Sequence, residues 1–592
     1  MKRRINCFQL HKEISVRDKC VFVATLLLIF SVYQFGIKQI CGFTFYPDEF
    51  GYWASAAKMM GWDWSEIASL GSYYSFGYSV VLFPILYFAP NSIVAYQVAV
   101  FVNMLFMCMG FVLLCVISEK LFVKMPRTFR YLASGAAVLY PAWLFYMQTT
   151  MTEALLLSLF VLIVYLFVGF LERPRLITGI LLTAVLMYFY IVHMRTVGTI
   201  AACGITLFLW GISKPQIRKY IFIVLGLAII AFIGAFYIKE LVQKSVYVTA
   251  TAEELAVNDY AGKLGNIKYI FTPEGFGSLV SHLAGKVVYW AVASLGLIYW
   301  AFAWMINRMI DMFKKIKNGQ ESETTEWFAV FLLLASLAQV AISSLFYVGG
   351  RNLDLYMNGR YIDFLVPVLV IVGLYYLYTS GYRWQKTICF SVIHIVLILL
   401  TAITIWKEET QHIRGYFQVG INWMLSDSDN VVDTRLHLLK IACVGVAFLV
   451  FVTSLMWFIK KREIFICAFT LFMLVEIGIA LVTSTQYTYH INGQNYRERV
   501  LIDVMEEKAI PDAEIYYLDD GSAQWIDFIQ MQLREQSIQM VTQEEYEQKK
   551  EEIDILFAAN NEKNIENYSP QFDRCVDESL LILFYNTDDA GK

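Results

Sequence analysis

The sequence predicts a polytopic α-helical membrane protein of about thirteen transmembrane helices, followed by a small α/β domain. Of its 592 residues, 58% are hydrophobic and 16% are charged, and the mean hydropathy is +0.54. The apolar residues occur in runs long enough to cross the hydrocarbon of a bilayer. Beyond residue 483 these runs stop, and short segments of helical and strand periodicity alternate. Such alternation is typical of a mostly parallel α/β domain.

Thirteen apolar windows meet the ~20-residue criterion for a membrane helix. They are 21–38, 93–117, 130–147, 152–171, 176–193, 196–212, 220–238, 285–307, 327–347, 361–379, 386–405, 437–459 and 464–483. Clusters of Lys and Arg then fall on every second loop, which is the pattern of cytoplasmic loops, if segment 76–88 does not cross. That segment is short and contains Pro84. We therefore expect it to be an interfacial or re-entrant helix.

The charge pattern also orients the chain. It predicts a cytoplasmic N-terminus (1–20), a membrane domain (21–483) with a long outer loop (39–92), and an extracytoplasmic domain (484–592). No small-residue cleavage site follows the first apolar run, so the first span is expected to stay uncleaved. No basic patch indicates a nucleic-acid partner. Cys41 and Cys575 are the only cysteines placed to pair outside, and this signal is too weak to predict a disulfide.

The first outer loop carries an acidic pair in the sequence Tyr46-Pro47-Asp48-Glu49. Carboxylates are costly near a bilayer, so a pair at its surface indicates a functional site. A carboxylate held there and partly shielded from water can act as a general base toward an acceptor hydroxyl or amine. Alternatively, Asp48 caps the helix that begins near Glu49. The residues themselves leave both interpretations open.

A second carboxylate, Glu153, follows a Thr-rich turn between the third and fourth spans, on the same predicted face. This residue can serve as a cap for the fourth span. Two carboxylates on separate helices of one face can also converge on a single cavity, which a cap does not require. Glu153 is therefore a candidate catalytic residue alongside Asp48 and Glu49.

Cations are less common on the outer face, yet His193, Arg195, Arg351 and Arg360 are predicted to lie there. The planar fork of arginine suits a phosphate, so these residues are candidates to hold a phosphorylated lipid headgroup. The alternative is snorkelling of the side chains to the interface. We favour function for Arg195 and Arg360, and an ordinary loop charge for Arg351. The histidines lack the spacing of metal ligands, so no zinc site is predicted.

Taken in order, these features resemble the GT-C glycosyltransferases. They are the acidic pair in a long first outer loop, an aromatic helix with a proline lying on the membrane, Thr-Thr-x-Thr-Glu-Ala-Leu-Leu at the fourth span, and Gly359-Arg360-Tyr361 before an apolar helix. More narrowly, the sequence resembles the family 39-like branch that contains the protein O-mannosyltransferases and the lipid A aminoarabinose transferase. The resemblance covers roughly 20–480 and is clearest in the first 200 residues. Each motif is short, but their order and sidedness agree.

The resemblance implies an inverting glycosyltransferase that moves one sugar from a polyprenyl-monophosphate donor to an extracytoplasmic acceptor: a protein, an envelope polymer or a lipid. By position, Asp48 would be the general base and Glu49 a supporting acid. Arg195 and Arg360, with His193 and Tyr361 beside them, would meet the donor phosphate. The family more often has Lys where Arg195 stands and Asp where Glu153 stands. No cofactor is certain from the sequence, and a divalent ion bridging carboxylate and phosphate stays open.

The main rival interpretation is a transporter or flippase of a lipid-linked saccharide, which would also need outer cations, aromatics and buried acids. Transporters of that kind often contain internal repeats, and this sequence shows none. The expected location is a bacterial plasma membrane, because the loops lack abundant glycosylation sequons.

Overall fold

A computed structural model describes residues 14–45, 48–71, 74–248, 250, 265–381, 383–425, 431–462, 464–510, 513–519, 525–578 and 580–587. Tyr46 and Pro47 of the acidic motif, and the predicted cytoplasmic N-terminus up to residue 13, lie outside these ranges. The α-helices are Val16–Gln34, Asp48–Met60, Ser65–Ser69, Ser79–Phe88, Ser92–Leu121, Arg127–Val138, Ala142–Met147, Glu153–Glu172, Leu176–Val192, Val197–Ser213, Arg218–Val246, Gly265–Tyr269, Pro273–Ala293, Leu297–Lys317, Thr324–Tyr347, Leu353–Tyr356, Val366–Ser380, Trp384–Ile405, Thr434–Arg462, Phe465–Thr483, His490–Lys508, Ile526–Leu533, Gln543–Lys549 and Glu562–Tyr568.

The helices make this a multi-pass membrane protein. Within the described residues, ten are long and apolar enough to cross a bilayer, and a bent pair supplies an eleventh if it is one span. The predicted count of thirteen is not confirmed, because two predicted spans fall short. Leu176–Val192 is apolar but has only 17 residues. The predicted span 130–147 is divided into Arg127–Val138 and Ala142–Met147, since Pro141 lacks an N–H and interrupts the helix.

The predicted span 285–307 is not one continuous helix. Pro273–Ala293 and Leu297–Lys317 are bent by 113° at the break between them. Leu295 (φ 53°) and Gly296 (φ 81°) adopt left-handed backbone there, which ends a helix. The bend is tightly packed, because a Cβ on Gly296 would lie 2.8 Å from Leu449 Cδ2. A Cβ on Gly373 would lie 2.4 Å from the carbonyl oxygen of Leu297.

Segment 76–88 forms the ten-residue helix Ser79–Phe88 around Pro84, which is too short to cross, as predicted. Its C-terminal carbonyls are bonded by a residue from the far end of the chain. Arg534 Nη1 and Nη2 donate to the carbonyls of Ala89 and Leu86, each at 2.9 Å. The first long loop and the C-terminal domain are therefore in direct contact.

The C-terminal domain is built on a five-stranded sheet. Two short strands earlier in the chain, β1 (Thr410–His412) and β2 (Val431–Asp433), pair antiparallel with each other. The domain's own strands are β3 (Ile515–Leu518), β4 (Ile538–Val541), β5 (Ile555–Ala559), β6 (Arg574–Asp577) and β7 (Leu581–Tyr585). Their order is β4-β3-β5-β7-β6.

This sheet is mixed rather than mostly parallel, which corrects the prediction. Strand β3 pairs parallel with β4 and β5, whereas β7 pairs antiparallel with β5 and β6. Strand β6 was not predicted, because it lies at the edge, is largely exposed and lacks an apolar alternation. Alternate residues of β3 face different cores: Tyr517 joins the large cluster of the membrane helices, and Tyr516 joins the small cluster of the domain. One face of the sheet therefore packs toward the helical part of the protein.

The bend after residue 293 yields a prediction about stability. Gly296→Ala should lower the free energy of unfolding by about 1–2 kcal/mol, because a Cβ disfavours left-handed backbone. Thermal unfolding of the purified protein in detergent measures this. The matched control is Gly110→Ala, within the Ser92–Leu121 helix, where an added Cβ meets no described atom within 4 Å. Equal shifts in unfolding temperature for the two variants would contradict the claim that the left-handed backbone at Gly296 requires glycine.

Candidate active site

Four predicted site residues come from places where regular helix begins or is interrupted. Asp48 and Glu153 are the first residues of the helices Asp48–Met60 and Glu153–Glu172. Arg195 lies in a 3₁₀ turn, and Arg360 lies in irregular backbone between two short helical segments. The side chains of Arg195 and Glu153 are 0% and 2% exposed. Those of Arg360 and Asp48 are 8% and 19% exposed.

These four residues form one row of ion pairs, in which acidic and basic side chains alternate. Arg360 forms an ion pair through Nη1 with Asp48 Oδ2. Its Nε donates to Glu153 Oε1 at 3.0 Å, and Arg195 Nη2 donates to the same oxygen at 2.8 Å. Burial alone would lower the pKa of Arg360, but the carboxylates of Asp48 and Glu153 together raise it well above its ordinary value. Two positive and two negative groups thus balance within a largely buried site, where an unpaired charge would be costly.

The capping alternatives do not describe these carboxylates. Asp48 Oδ1 accepts a hydrogen bond from the Tyr74 hydroxyl at 2.7 Å, and Oδ2 pairs with Arg360. Glu153 is bonded by the two arginines and by the Thr152 hydroxyl at 3.5 Å. Among the described residues, no backbone N–H donates to either carboxylate. Both side chains are directed to side-chain partners rather than to a helix terminus.

Glu49 does not share the partners of the neighbouring Asp48. Its Oε1 accepts from the backbone N–H groups of Thr44 (2.7 Å) and Phe45 (2.9 Å). Its Oε2 accepts from the Tyr96 hydroxyl (2.5 Å) and from the Thr150 N–H and hydroxyl (2.5 and 2.6 Å). Burial raises the pKa of Glu49, and these hydrogen bonds oppose that effect. Glu49 ties the segment before Asp48 to the Thr-rich turn before Glu153.

His193 and Tyr361 lie beside Arg195. The guanidinium carbon of Arg195 is 4.8 Å from the centre of the Tyr361 ring, a cation–π contact. His193 Nδ1 accepts from the backbone N–H of Arg195 at 3.3 Å. Burial, together with Arg195 and Arg360, lowers the pKa of His193 well below its ordinary value. The imidazole is therefore neutral at physiological pH and orients the turn that carries Arg195.

Arg195 has hydrogen-bonding capacity left over. Its Nε and Nη1 are buried and find no partner among the described residues. The Tyr52 hydroxyl, one helical turn after Asp48, is likewise buried with no described partner. A buried guanidinium normally has its N–H groups satisfied, because each unpaired one carries a desolvation cost. An anion with several oxygens, such as a phosphate, would satisfy the free N–H groups of Arg195.

The structure also places residues near the site that the sequence analysis missed. Tyr74 bonds Asp48 from 26 positions along the chain, and no local pattern signals such a contact. The sequence could have predicted Tyr52, since positions 48 and 52 share one face of a helix. It could also have predicted Asp363, three residues after Arg360, because this buried carboxylate lies at the start of an apolar span.

Both carboxylate oxygens of Asp363 accept hydrogen bonds from tyrosine hydroxyls. Tyr289 donates to it at 2.7 Å, Tyr140 at 2.9 Å and Tyr146 at 3.2 Å. The Tyr289 hydroxyl in turn accepts from the N–H of Gly420 at 3.0 Å. These bonds join four separate parts of the chain directly beside the stretch that carries Arg360.

The remaining candidates lie elsewhere. Arg351 is exposed in a loop, in agreement with the prediction of an ordinary charge. Cys41 is buried and Cys575 is exposed, and both are free thiols. The described residues contain no group of three or more His, Cys, Asp or Glu placed to hold a metal ion. An Asp-x-Asp sequence at 427–429 lies outside the described ranges.

Comparisons with known proteins found similarity only among solved structures. No family model and no curated protein sequence matches the chain. ArnT from Cupriavidus metallidurans, solved in the apo state and bound to undecaprenyl phosphate, is 12% identical, with 95% of this chain and 97% of that chain covered and a TM-score of 0.49. The archaeal oligosaccharyltransferase AglB from Archaeoglobus fulgidus, in complex with an inhibitory peptide and a dolichol-phosphate, is 10% identical, with coverages of 93% and 70% and a TM-score of 0.43. Similarities of this size assign no role to any residue.

The shared oxygen of Glu153 yields a prediction about stability. Glu153→Gln should lower the free energy of unfolding by about 3–5 kcal/mol, because it leaves a buried arginine without its counter-charge. The control is Glu172→Gln, at the other end of the same helix, where a half-exposed pair with Lys120 should contribute about 0–1 kcal/mol. Thermal or denaturant unfolding in detergent compares the two variants. Similar losses would contradict the central position of Glu153.

Proposed function

We propose that this protein is an inverting glycosyltransferase that moves a sugar from a polyprenyl-monophosphate donor to an acceptor outside the cytoplasm. One observation carries the proposal. A general-base candidate, Asp48, is joined through Arg360 and Glu153 to a buried arginine, Arg195, two of whose nitrogen atoms have no hydrogen-bond partner among the described residues. Such a displacement requires two groups, a base and a cation that binds phosphate. Asp48 and Arg195 supply them at the two ends of this row of ion pairs. The resemblance of the sequence motifs to the GT-C glycosyltransferases points to the same reaction.

In the proposed reaction, Asp48 accepts the proton of an acceptor hydroxyl or amine as that group attacks the anomeric carbon of the sugar. The new bond forms on the face opposite the phosphate, and the bond between the anomeric carbon and the phosphate oxygen breaks. The electron pair leaves with the lipid phosphate, whose added charge is stabilised by Arg195 and Arg360. Configuration at the anomeric carbon is therefore inverted.

Arg360 has two roles in this scheme. Without donor, it neutralises Asp48. An incoming phosphate competes for the same guanidinium, because phosphate accepts strong charge-assisted hydrogen bonds from arginine. Asp48 would then be released to act as a base only once donor is bound, with the Tyr74 hydroxyl still holding its Oδ1.

The other predicted site residues act by positioning. Glu153 holds both arginines on a single oxygen, so the two cations stay close together. Tyr361 supplies an aromatic face to Arg195, and His193 fixes the turn that carries it. Glu49, which the sequence suggested as a supporting acid, is proposed to fix the position of the Asp48 segment, since its oxygens are occupied by five donors.

We further propose the topology that the charge pattern indicates: a cytoplasmic N-terminus (1–20), a membrane domain (21–483) with outer loop 39–92, and an extracytoplasmic C-terminal domain (484–592) in a bacterial plasma membrane. The contacts of Arg534 with the carbonyls of Leu86 and Ala89 support a common side for that loop and that domain. The alternation of Lys and Arg among the loops supports the direction of the chain.

Release of free polyprenyl phosphate from a panel of polyprenyl-phosphate sugars tests the activity directly. Purified protein in lipid, supplied with candidate envelope acceptors, should turn over at least one donor. Asp48→Asn should lower kcat by about 10²–10⁴-fold, as expected for loss of a general base. Glu172→Gln, remote from the site, is the matched control and should retain activity. Full activity of Asp48→Asn would contradict the assignment of the base, and lipid binding without any turnover would favour a transporter.

The sidedness has its own test. Cys575 is an exposed thiol in the C-terminal domain. A membrane-impermeant maleimide should label it in intact cells, and Cys575→Ser should remove that label. Labelling that requires permeabilised cells would place the domain on the cytoplasmic side and contradict the proposed topology.

A further inference from the structure

The segment that precedes Asp48 is held by a residue about 450 positions later in the chain. Asn492 lies in the helix His490–Lys508, which follows the last apolar span and leads into the C-terminal domain. Its Oδ1 accepts from the backbone N–H of Cys41 at 2.8 Å and of Gly42 at 2.9 Å. These bonds join two regions separated by nearly the whole membrane domain.

Every hydrogen bond that the Asn492 amide can form is used. Nδ2 donates to the Thr44 hydroxyl at 3.2 Å and to the Thr488 carbonyl at 3.0 Å. An amide has two acceptor sites and two donors, so the side chain is saturated. The residue is 0% exposed. A buried amide satisfied in this way fixes its partners, because breaking any bond leaves an unpaired polar group.

The same segment is held at its other end by Glu49. Glu49 binds the N–H groups of Thr44 and Phe45, and Asn492 binds those of Cys41 and Gly42. Residues 41–45 are therefore fixed at both ends, directly before the helix that begins with Asp48. The ring of Phe45 also lies 5.5 Å from the Arg360 guanidinium carbon. A shift of the segment would move a wall of the site as well as the base.

The helix that carries Asn492 is fastened to the C-terminal sheet. Glu498, nearly two turns further along, accepts from the backbone N–H groups of Leu580 at 3.0 Å and Leu581 at 3.2 Å, at the start of β7. The domain also contacts the segment directly, since a Cβ on Gly42 would lie 2.8 Å from Phe528. One rigid helix thus bonds the sheet at one point and the Asp48 segment at another.

The domain holds the rest of the first long loop as well. Trp64 Nε1 donates to the carbonyl of Arg534 at 2.6 Å, and the N–H of Met540 donates to Glu66 Oε2 at 2.5 Å. With the bonds from Arg534 to the carbonyls of Leu86 and Ala89, at the C-terminal end of Ser79–Phe88, the loop is anchored before and after the Asp48–Met60 helix. The domain is therefore part of the framework that sets the position of the base.

From these contacts we infer that Asn492 is a positioning residue for the transfer reaction, and that the His490–Lys508 helix transmits the placement of the C-terminal domain to Asp48. This inference rests on the proposed function. Reaction rates depend steeply on the alignment of the base, and a displacement of about 1 Å can lower the rate by about 10²-fold. Binding of donor phosphate depends on Arg195 and Arg360, which Asn492 does not contact. Loss of Asn492 should therefore affect turnover more than donor affinity.

The test uses full-length protein in lipid and three variants. Asn492→Leu removes all four side-chain hydrogen bonds at similar size, and Asn492→Asp keeps the oxygen that accepts from Cys41 and Gly42. Gln494→Ala, at an exposed position of the same helix, is the control. We expect Asn492→Leu to lower kcat for polyprenyl-phosphate release by about 10–10²-fold with little change in the donor KM. Asn492→Asp should recover at least part of that loss, and Gln494→Ala should match the wild type.

Amide hydrogen exchange on the same samples separates this inference from the proposed function. Asn492→Leu should raise exchange at residues 41–45, while Gln494→Ala leaves it unchanged. Unaltered exchange or unaltered kcat in Asn492→Leu overturns the inference, as does a parallel loss of kcat and donor affinity that Asn492→Asp does not restore. If wild-type protein releases lipid phosphate from no donor, the proposed function fails instead, and the exchange data alone report whether Asn492 holds the segment.

Discussion

The structure of the site depends on one carboxylate oxygen. Glu153 Oε1 accepts from both Arg195 and Arg360, and Arg360 in turn pairs with Asp48. Two guanidinium groups would repel each other in a water-poor site if the carboxylate between them were absent. The carboxylate of Glu153 therefore offsets this repulsion and allows two arginines to lie near a base inside a largely apolar protein. The N–H groups on Nε and Nη1 of Arg195, which have no partner among the described residues, remain available for an anionic substrate.

The charged residues are supplied by interruptions of regular helix. Asp48 and Glu153 begin helices, Arg195 lies in a 3₁₀ turn, and Arg360 lies in irregular backbone. Irregular backbone at membrane depth is tolerated where it is buried in protein or lines a cavity. The interruptions are in turn held by long-range hydrogen bonds, such as those of Glu49 to Thr150. The fold thus brings these four charged side chains together in one region.

Most helices and strands could be predicted from the pattern of apolar and charged residues along the sequence. Apolar runs identified most membrane helices, and the strands predicted at 513–518, 537–541, 553–558 and 579–585 correspond to β3, β4, β5 and β7. Local patterns did not reveal the bend at Gly296, because one of its two left-handed residues is Leu295, a residue type that rarely adopts positive φ. They also could not show that Glu49 turns away from Asp48, since its partners include Tyr96 and Thr150.

Among the site residues, too, some were predictable from the local sequence and others depended on tertiary contacts. Asp48, Glu153, Arg195 and Arg360 were identified because charges are rare in apolar surroundings, and the structure brings them together. Tyr74 and Asn492 were missed because neither is unusual in its local sequence, and each acts on a segment far away in the chain. Residues of this kind become visible only when the tertiary contacts are known. The framework of the site is therefore less predictable than its charges.

The most direct test of the central claim is the affinity of polyprenyl monophosphate without a sugar, measured by equilibrium binding to the protein in lipid. If the unsatisfied N–H groups of Arg195 hold the phosphate, Arg195→Gln should weaken binding by about 10–100-fold, as expected for loss of a charge-assisted hydrogen bond. If Arg360 is shared between base and phosphate, Asp48→Asn should bind as tightly as the wild type or more tightly. Unchanged binding by Arg195→Gln, or markedly weaker binding by Asp48→Asn, would contradict the account.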